Sequence, residues 1–263
     1  MYLIDSYDVI VVGAGHAGCE AALAAARMGC KTLLTTISLD NVAMMPCNPA
    51  VGGPGKSHLV KELDALGGEM GIAADATAIQ MRMLNSSKGP AVYALRAQSD
   101  KGAYHRYMKK VIENTDNLDL KQMMVVDILE EDGHVNGIIS ELGEAYTAKA
   151  VILCTGTYLE SDIIIGDNKY NLRKHGIELL RFKTGTPSRV DLRTLHLDHM
   201  ALEEGDPKHH SFSFMDEDVD RNKAVCWLTY TNETTHKIIR DNIKRAPKYS
   251  GLITGVGARY CPS

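Results

Sequence analysis

Residues 8–35, DVIVVGAGHAGCEAALAAARMGCKTLLT, constrain this chain more than any other stretch. Asp8-Val9-Ile10-Val11-Val12 is a short apolar run rich in β-branched residues, the pattern of a buried parallel strand. Gly13-Ala14-Gly15-His16-Ala17-Gly18 follows at once, then an Ala-rich helical segment to Arg27, a helix stop at Gly29 and a second apolar run from Lys31 to Thr35. Strand, glycine turn, helix and strand in this order predict a dinucleotide-binding βαβ unit. Gly13 permits the tight turn off the strand, Gly15 lets a diphosphate approach the backbone, and Gly18 lets the helix pack close to the sheet. The helix start adds free N–H groups and a positive dipole end. The acidic residue that usually holds a ribose at the end of the second strand is replaced by Thr35-Thr36, with Asp40 too far along.

A chain of 263 residues has room for one large domain or two smaller ones, and a hydrophobic content of 44% supports a sizeable core. The net charge of −4 neither demands nor excludes a nucleic-acid partner, so such a partner would need a local basic patch. No apolar run is long enough to span a membrane, and MYLIDSYD lacks the basic-then-apolar order of a signal peptide. The six cysteines, Cys19, Cys30, Cys47, Cys154, Cys226 and Cys261, form no CxxC pair. They read as reduced thiols in a cytoplasmic protein, and no His/Asp spacing suggests a metal.

Asn41 to Ser57, NVAMMPCNPAVGGPGKS, is expected to be a loop presenting Cys47 between two prolines. Its end resembles a phosphate-binding P-loop. Ala50 stands where that motif needs glycine, and no strand is expected before it, so a nucleoside triphosphatase is rejected. Leu59–Leu66 and Ala97–Asn114 have helical spacing. Leu118–Leu120 and Met123–Leu129 read as strands, and Asp132-Gly133 is a hairpin turn before a strand at Val135–Ser140. Tyr146–Gly156 is a strand ending in a glycine turn. A strand over Ala224–Thr231 and a helix over Thr235–Ile243 follow a polar, His-bearing stretch.

GAGHAG at 13–18, CNPAVGGPGK at 47–56, KGPAVYALRAQSDK at 88–101, TNETTHKIIRDNI at 231–243 and GVGARYCPS at 255–263 together resemble, collinearly, the MnmG (GidA) flavoproteins. The resemblance covers essentially the whole chain. It implies an α/β, Rossmann-like FAD/NAD-binding fold of the two-dinucleotide-binding-domain type. Residues 1–165 would be the first part of the FAD domain and 166–263 an inserted substrate/NAD-binding region. The family's C-terminal half, which binds the partner GTPase, would lie beyond the chain, making it an N-terminal part. A loop near 166–172 is shorter than in the family.

The resemblance further implies FAD on Gly13, Ala14, Gly15, His16, Ala17 and Gly18, on Val125 and on Thr155-Gly156, and NAD near Gly257, Ala258, Arg259, Tyr260, Cys261, Pro262 and Ser263. Cys47 and Cys261 match the family's two cysteines. The implied reaction adds a carboxymethylaminomethyl or aminomethyl group to C5 of a tRNA wobble uridine. In the family methylenetetrahydrofolate donates the carbon, flavin and NADH handle electrons and glycine or ammonium supplies the nitrogen, with an MnmE-type tRNA modification GTPase in a heterotetramer and MnmG as a homodimer. A thiolate suits this chemistry because adding it to C6 makes C5 nucleophilic. Cys261 is proposed as that nucleophile and Cys47 as the second thiol, the reverse assignment being the alternative. Arg96, Lys101, Arg106, Arg173, Lys174 and Arg181 are candidates for tRNA phosphates. The alternatives are a small-molecule flavin oxidoreductase and a non-catalytic dinucleotide-binding fragment.

Overall fold

The computed structural model describes residues 2–157, 162–165, 168–171, 182–183, 187–208, 210–215, 220–246, 249–251 and 256–257. They fall into two units: residues 1–156 with 205–223, and residues 157–204 with 224–263.

In the first unit, β1 (Tyr2–Val12), α1 (His16–Arg27) and β2 (Thr32–Thr36) form the expected βαβ element. β3 (Ala50–Gly52), α2 (Ser57–Ala65), α3 (Met70–Thr77), β4 (Ala78–Leu84), β5 (Ala94–Ser99) and α4 (Lys101–Glu113) follow. β6 (Leu118–Gln122), β7 (Val125–Glu131), β8 (His134–Ser140) and β9 (Glu144–Leu153) complete it. The main sheet has the order β6-β2-β1-β9-β8-β7. β6, β2, β1 and β9 are parallel, while β8 runs antiparallel to β9 and to β7, with which it forms the hairpin that Asp132-Gly133 turns. β1 lies between β2 and β9, which accounts for its unbroken apolar run: Ile10 and Val11 are fully buried. α1 covers one face with Cys19, Ala22, Leu23 and Ala26, a helical stripe of mostly small side chains that permits close packing. Tyr7, Ile10, Val12, Leu33, Ile138 and Tyr146 form a separate buried cluster.

Two expectations change. The helix read over Ala97–Asn114 starts at Lys101, because Ala94–Ser99 is a strand with alternating burial. The Asp100 carboxylate caps the helix by accepting from the Ala103 N–H at 2.8 Å. The stretch 41–57 is likewise not loop throughout: Ala50–Gly52 is a strand and Ser57 opens α2. A short strand therefore does precede the glycine-rich turn. It pairs antiparallel with β5 in the small sheet β3-β5-β4 and is not part of the parallel sheet.

The two ends of the 205–223 segment bond to the outer edge of β4 in this small sheet. Asp206 N–H donates to Met81 O at 2.9 Å and Lys223 N–H to Ile79 O at 2.8 Å, so the edge is covered. The second unit contains the hairpin β10 (Asp162–Ile165) and β11 (Asn168–Asn171), and β12 (Phe182–Lys183), which pairs in parallel with a terminal strand at Val256–Gly257. It also holds the antiparallel pair β13 (Ala201–Glu203) and β14 (Cys226–Leu228), and helix α5 (Glu233–Asn242). The 205–223 strap leaves from β13 and returns into β14. No helix among the described residues is long and apolar enough to cross a membrane.

Candidate active site

The glycine turn has the form its sequence predicts. Gly13 sits at φ +103°, and a Cβ there would lie 2.5 Å from Cys154 O. A Cβ on Gly18 would lie 1.8 Å from Gly13 O, so helix and turn touch backbone to backbone. Gly15 differs: its φ is −75°, and a Cβ on it would meet nothing within 4 Å among the described residues. The space in front of Gly15 is a cradle. Gly15 caps α1 without a side-chain hydrogen bond, no acidic residue lies in the first turn, and the first intrahelical bond runs from Cys19 N–H to Gly15 O. The N–H groups of His16, Ala17 and Gly18 therefore lack intrahelical acceptors and face the cradle end of the helix dipole. These features fit an anionic diphosphate.

Three stretches distant in sequence meet at this turn. Gly13 N–H donates to Thr35 O at 3.0 Å, and Cys154 N–H donates to Val12 O at 2.8 Å, which brings Thr155-Gly156 alongside. Ala43 N–H donates to Ala14 O at 2.8 Å, so the loop that carries Cys47 starts from the glycine turn itself. Val42 and Ala43 are fully buried, and His105 of α4 donates a ring N–H to Val42 O at 2.7 Å. On the far side of Cys47, Ser99 N–H donates to Pro49 O at 2.7 Å, where β3 begins. Cys47 is half-buried and outside any disulfide. Cys19 is fully buried, its thiol donates to Ala14 O at 3.5 Å, and burial pushes its pKa up to about 12. Burial also raises Cys154. Both thiols are thus poor nucleophiles beside the turn.

Behind the turn lies a polar cluster that the sequence did not announce. His16 and Glu20 sit one helical turn apart on α1, and the His16 ring meets the edge of Tyr104 on α4 at 5.7 Å. His16 Nδ1, Glu20 Oε1 and the Tyr104 hydroxyl are each shut off from solvent without a hydrogen-bond partner among the described residues. The second Glu20 oxygen accepts from Glu69 N–H at 3.0 Å. Burial holds the Glu20 carboxyl above its ordinary range and the His16 imidazole below its own.

Val125 is half-buried at the start of β7, opposite Ser140. Thr35 and Thr36, where a ribose-binding acid was sought, are both buried. Of the basic candidates, Arg106 is exposed on α4, Lys101 is half-buried at its start, and Arg96 lies on β5 with its Nε buried and without a partner among the described residues. Arg173, Lys174, Arg181, Ala258, Arg259, Tyr260, Cys261, Pro262 and Ser263 lie outside the described residues, and Gly257 is described only as part of the terminal strand. Among the described residues no three His, Cys, Asp or Glu side chains converge as a metal site would require.

The model of the family described as glucose inhibited division protein A matches residues 8–263. This chain belongs to the GidA family. GidA of Aquifex aeolicus superposes with a TM-score of 0.90 at 47% identity, covering 98% of this chain and 47% of that one. Its match places the first unit among Rossmann-type folds. The tRNA uridine 5-carboxymethylaminomethyl modification enzyme MnmG of Heliobacterium modesticaldum is 54% identical over 277 residues, spanning all of this chain and 44% of the relative. The MnmG of Lactobacillus acidophilus is 56% identical over 279 residues, again with 44% of the relative covered. The chain thus spans less than half the length of each of these three relatives.

Proposed function

We propose that this chain is the dinucleotide-holding part of an FAD-dependent enzyme that modifies the wobble uridine of tRNA at C5. The observation that carries the reading is the tether from Ala43 to Ala14: the Cys47 loop and the open cradle at Gly15 share one backbone hydrogen bond. A diphosphate in that cradle would take the N–H groups of His16, Ala17 and Gly18, with Thr155-Gly156 and Val125 along the rest of the dinucleotide. Flavin, when bound, supplies the electron transfer that no side chain can. The family resemblance adds NADH at 257–263, methylenetetrahydrofolate as carbon donor, and glycine or ammonium as nitrogen donor. It also adds tRNA as substrate, a homodimer, the MnmE-type GTPase as partner, and the cytoplasm as location. It divides the chain at 165 into an FAD domain and an inserted substrate region.

The residues then act as follows. One thiolate adds to C6 of the uracil, forming an S–C bond and placing the electron pair on the C5–C4–O4 enolate, so that C5 attacks the one-carbon donor. Loss of the C5 proton expels tetrahydrofolate and leaves an exocyclic methylene on C5, the nitrogen of glycine or ammonium adds to that methylene with loss of its own proton, and elimination of the thiolate from C6 restores the C5–C6 double bond. Cys261 is assigned the addition and Cys47 the second thiol role. Cys47 suits it because both ends of its loop are anchored by backbone bonds, while Cys19 is held protonated in the core. Cys47→Ser in the enzyme that carries activity is expected to abolish uridine modification with FAD affinity unchanged. Full activity of that variant would remove Cys47 from the mechanism.

A further inference from the structure

The most heavily built feature outside the glycine turn is the grip on Phe212. Its ring is fully buried. Its N–H donates to both carboxylate oxygens of Asp75, at 2.8 and 2.9 Å, and the Ser213 N–H donates to the same group at 2.8 Å. The Lys61 ammonium donates to Ser211 O at 3.1 Å and Phe212 O at 3.2 Å. Phe214 N–H donates to Asp64 at 2.8 Å, and Arg221, itself buried, donates to Asp75 O at 3.0 Å and His210 O at 3.3 Å. Burying a carboxylate and a guanidinium is costly unless each is fully bonded. Here the charges from α2, α3 and the strap are spent on fixing one backbone segment.

What that segment fixes is Gly52. A Cβ on Gly52 would lie 2.5 Å from Phe212 Cζ and 2.3 Å from Leu95 O, so the ring rests on the bare glycine. Gly52 closes β3, a strand of 3 residues at the edge of its sheet whose sole paired neighbour among the described residues is β5. So short an edge strand has little hold of its own. It leads directly out of the Cys47 loop through Asn48 and Pro49, and Pro49 leaves little slack in that exit. The loop's entry is already anchored at Val42 and Ala43.

We infer that Phe212 is a positioning residue for Cys47: the strap that leaves β13 presses its ring on Gly52 and so locks the exit of the Cys47 loop. The catalytic meaning rests on the role proposed for Cys47, but the positioning itself is a property of the fold. The test is the alkylation rate of each cysteine by iodoacetamide in the native chain, read peptide by peptide in a mass spectrometer, without substrate or tRNA. Phe212→Ala is expected to raise the Cys47 rate at least about tenfold, with the rates of buried Cys19 and of Cys30 unchanged. Phe212→Met, which refills the space, returns the rate toward that of the original chain. Lys61→Met, which frees the strap carbonyls but keeps the apolar stem, gives a smaller rise confined to Cys47. If Phe212→Ala unfolds the chain and all thiols react together, Lys61→Met decides. A Cys47 rate within about twofold of the original in both variants, or a parallel rise of Cys19 in Lys61→Met, overturns the inference. Activity of Cys47→Ser is a separate measurement, so loss of the catalytic reading leaves this result standing.

Discussion

Gly15→Ala separates binding from folding better than any other change in the glycine turn. The backbone at Gly15 has φ −75° and ψ −173°, which alanine adopts without strain, and the new Cβ would meet no atom of the described residues within 4 Å. Two small effects on stability oppose each other. Alanine is a poorer N-cap than glycine by about 1 kcal/mol. Reduced freedom of the unfolded chain returns about 0.4–1 kcal/mol. The net change is expected to stay within about 1 kcal/mol. A diphosphate in the cradle would instead collide with the methyl group, and overpacking of this kind costs about 1–3 kcal/mol. FAD affinity should therefore fall by about 10- to 100-fold. Urea denaturation gives the first quantity and quenching of flavin fluorescence the second. Gly18→Ala is the contrast, because its Cβ would lie 1.8 Å from Gly13 O and must force α1 off the turn, lowering stability itself. Gly15→Ala binding FAD within about twofold of the original chain would refute the placement of the diphosphate.

Two further tests concern the surroundings of the turn. Glu20, held above its ordinary 4.5 by burial, gives stability that is present below pH 4.5 and lost as pH rises through the folded value. His16, held below its ordinary 6.5 by burial, gives stability that is present above pH 6.5 and lost as pH falls below it. Between these limits the two slopes oppose each other, so Glu20→Gln should make stability rise with pH and His16→Gln should make it fall, each by at most about 1.4 kcal/mol per pH unit. Parallel urea-stability profiles for both variants and the original chain would contradict this. His105→Ala leaves the buried Val42 carbonyl without its ring donor, an expected loss of about 1–3 kcal/mol in urea denaturation. His105→Gln, which keeps an N–H donor, should recover part of it, and equal losses in the two variants would show that the hydrogen bond is not the cause.

The glycine turn was legible in the sequence because steric limits act locally. Gly13 and Gly18 are required by contacts with their own strand and helix, and the apolar run at 9–12 followed from burial on both faces. The helix expected over Ala97–Asn114 overruns the end of the strand at Ala94–Ser99 because Ala and Gln favour helix, and pairing with both β3 and β4 overrides that preference. The three-residue strand at Ala50–Gly52 was hidden by the glycines and proline around it. The grip of Asp75 on Phe212 joins residues 137 apart, and nothing in either local pattern announces a partner at that distance. Likewise the cluster of His16, Glu20 and Tyr104 unites two helices whose sequences read as an ordinary apolar face and a solvated one.

The most direct measurement is a crystal structure of the chain grown with FAD. The account predicts diphosphate oxygens within about 3 Å of the N–H groups of His16, Ala17 and Gly18, against the open face of Gly15 and beside Thr155-Gly156. FAD bound elsewhere on the chain, with the cradle at Gly15 left to solvent, would contradict it.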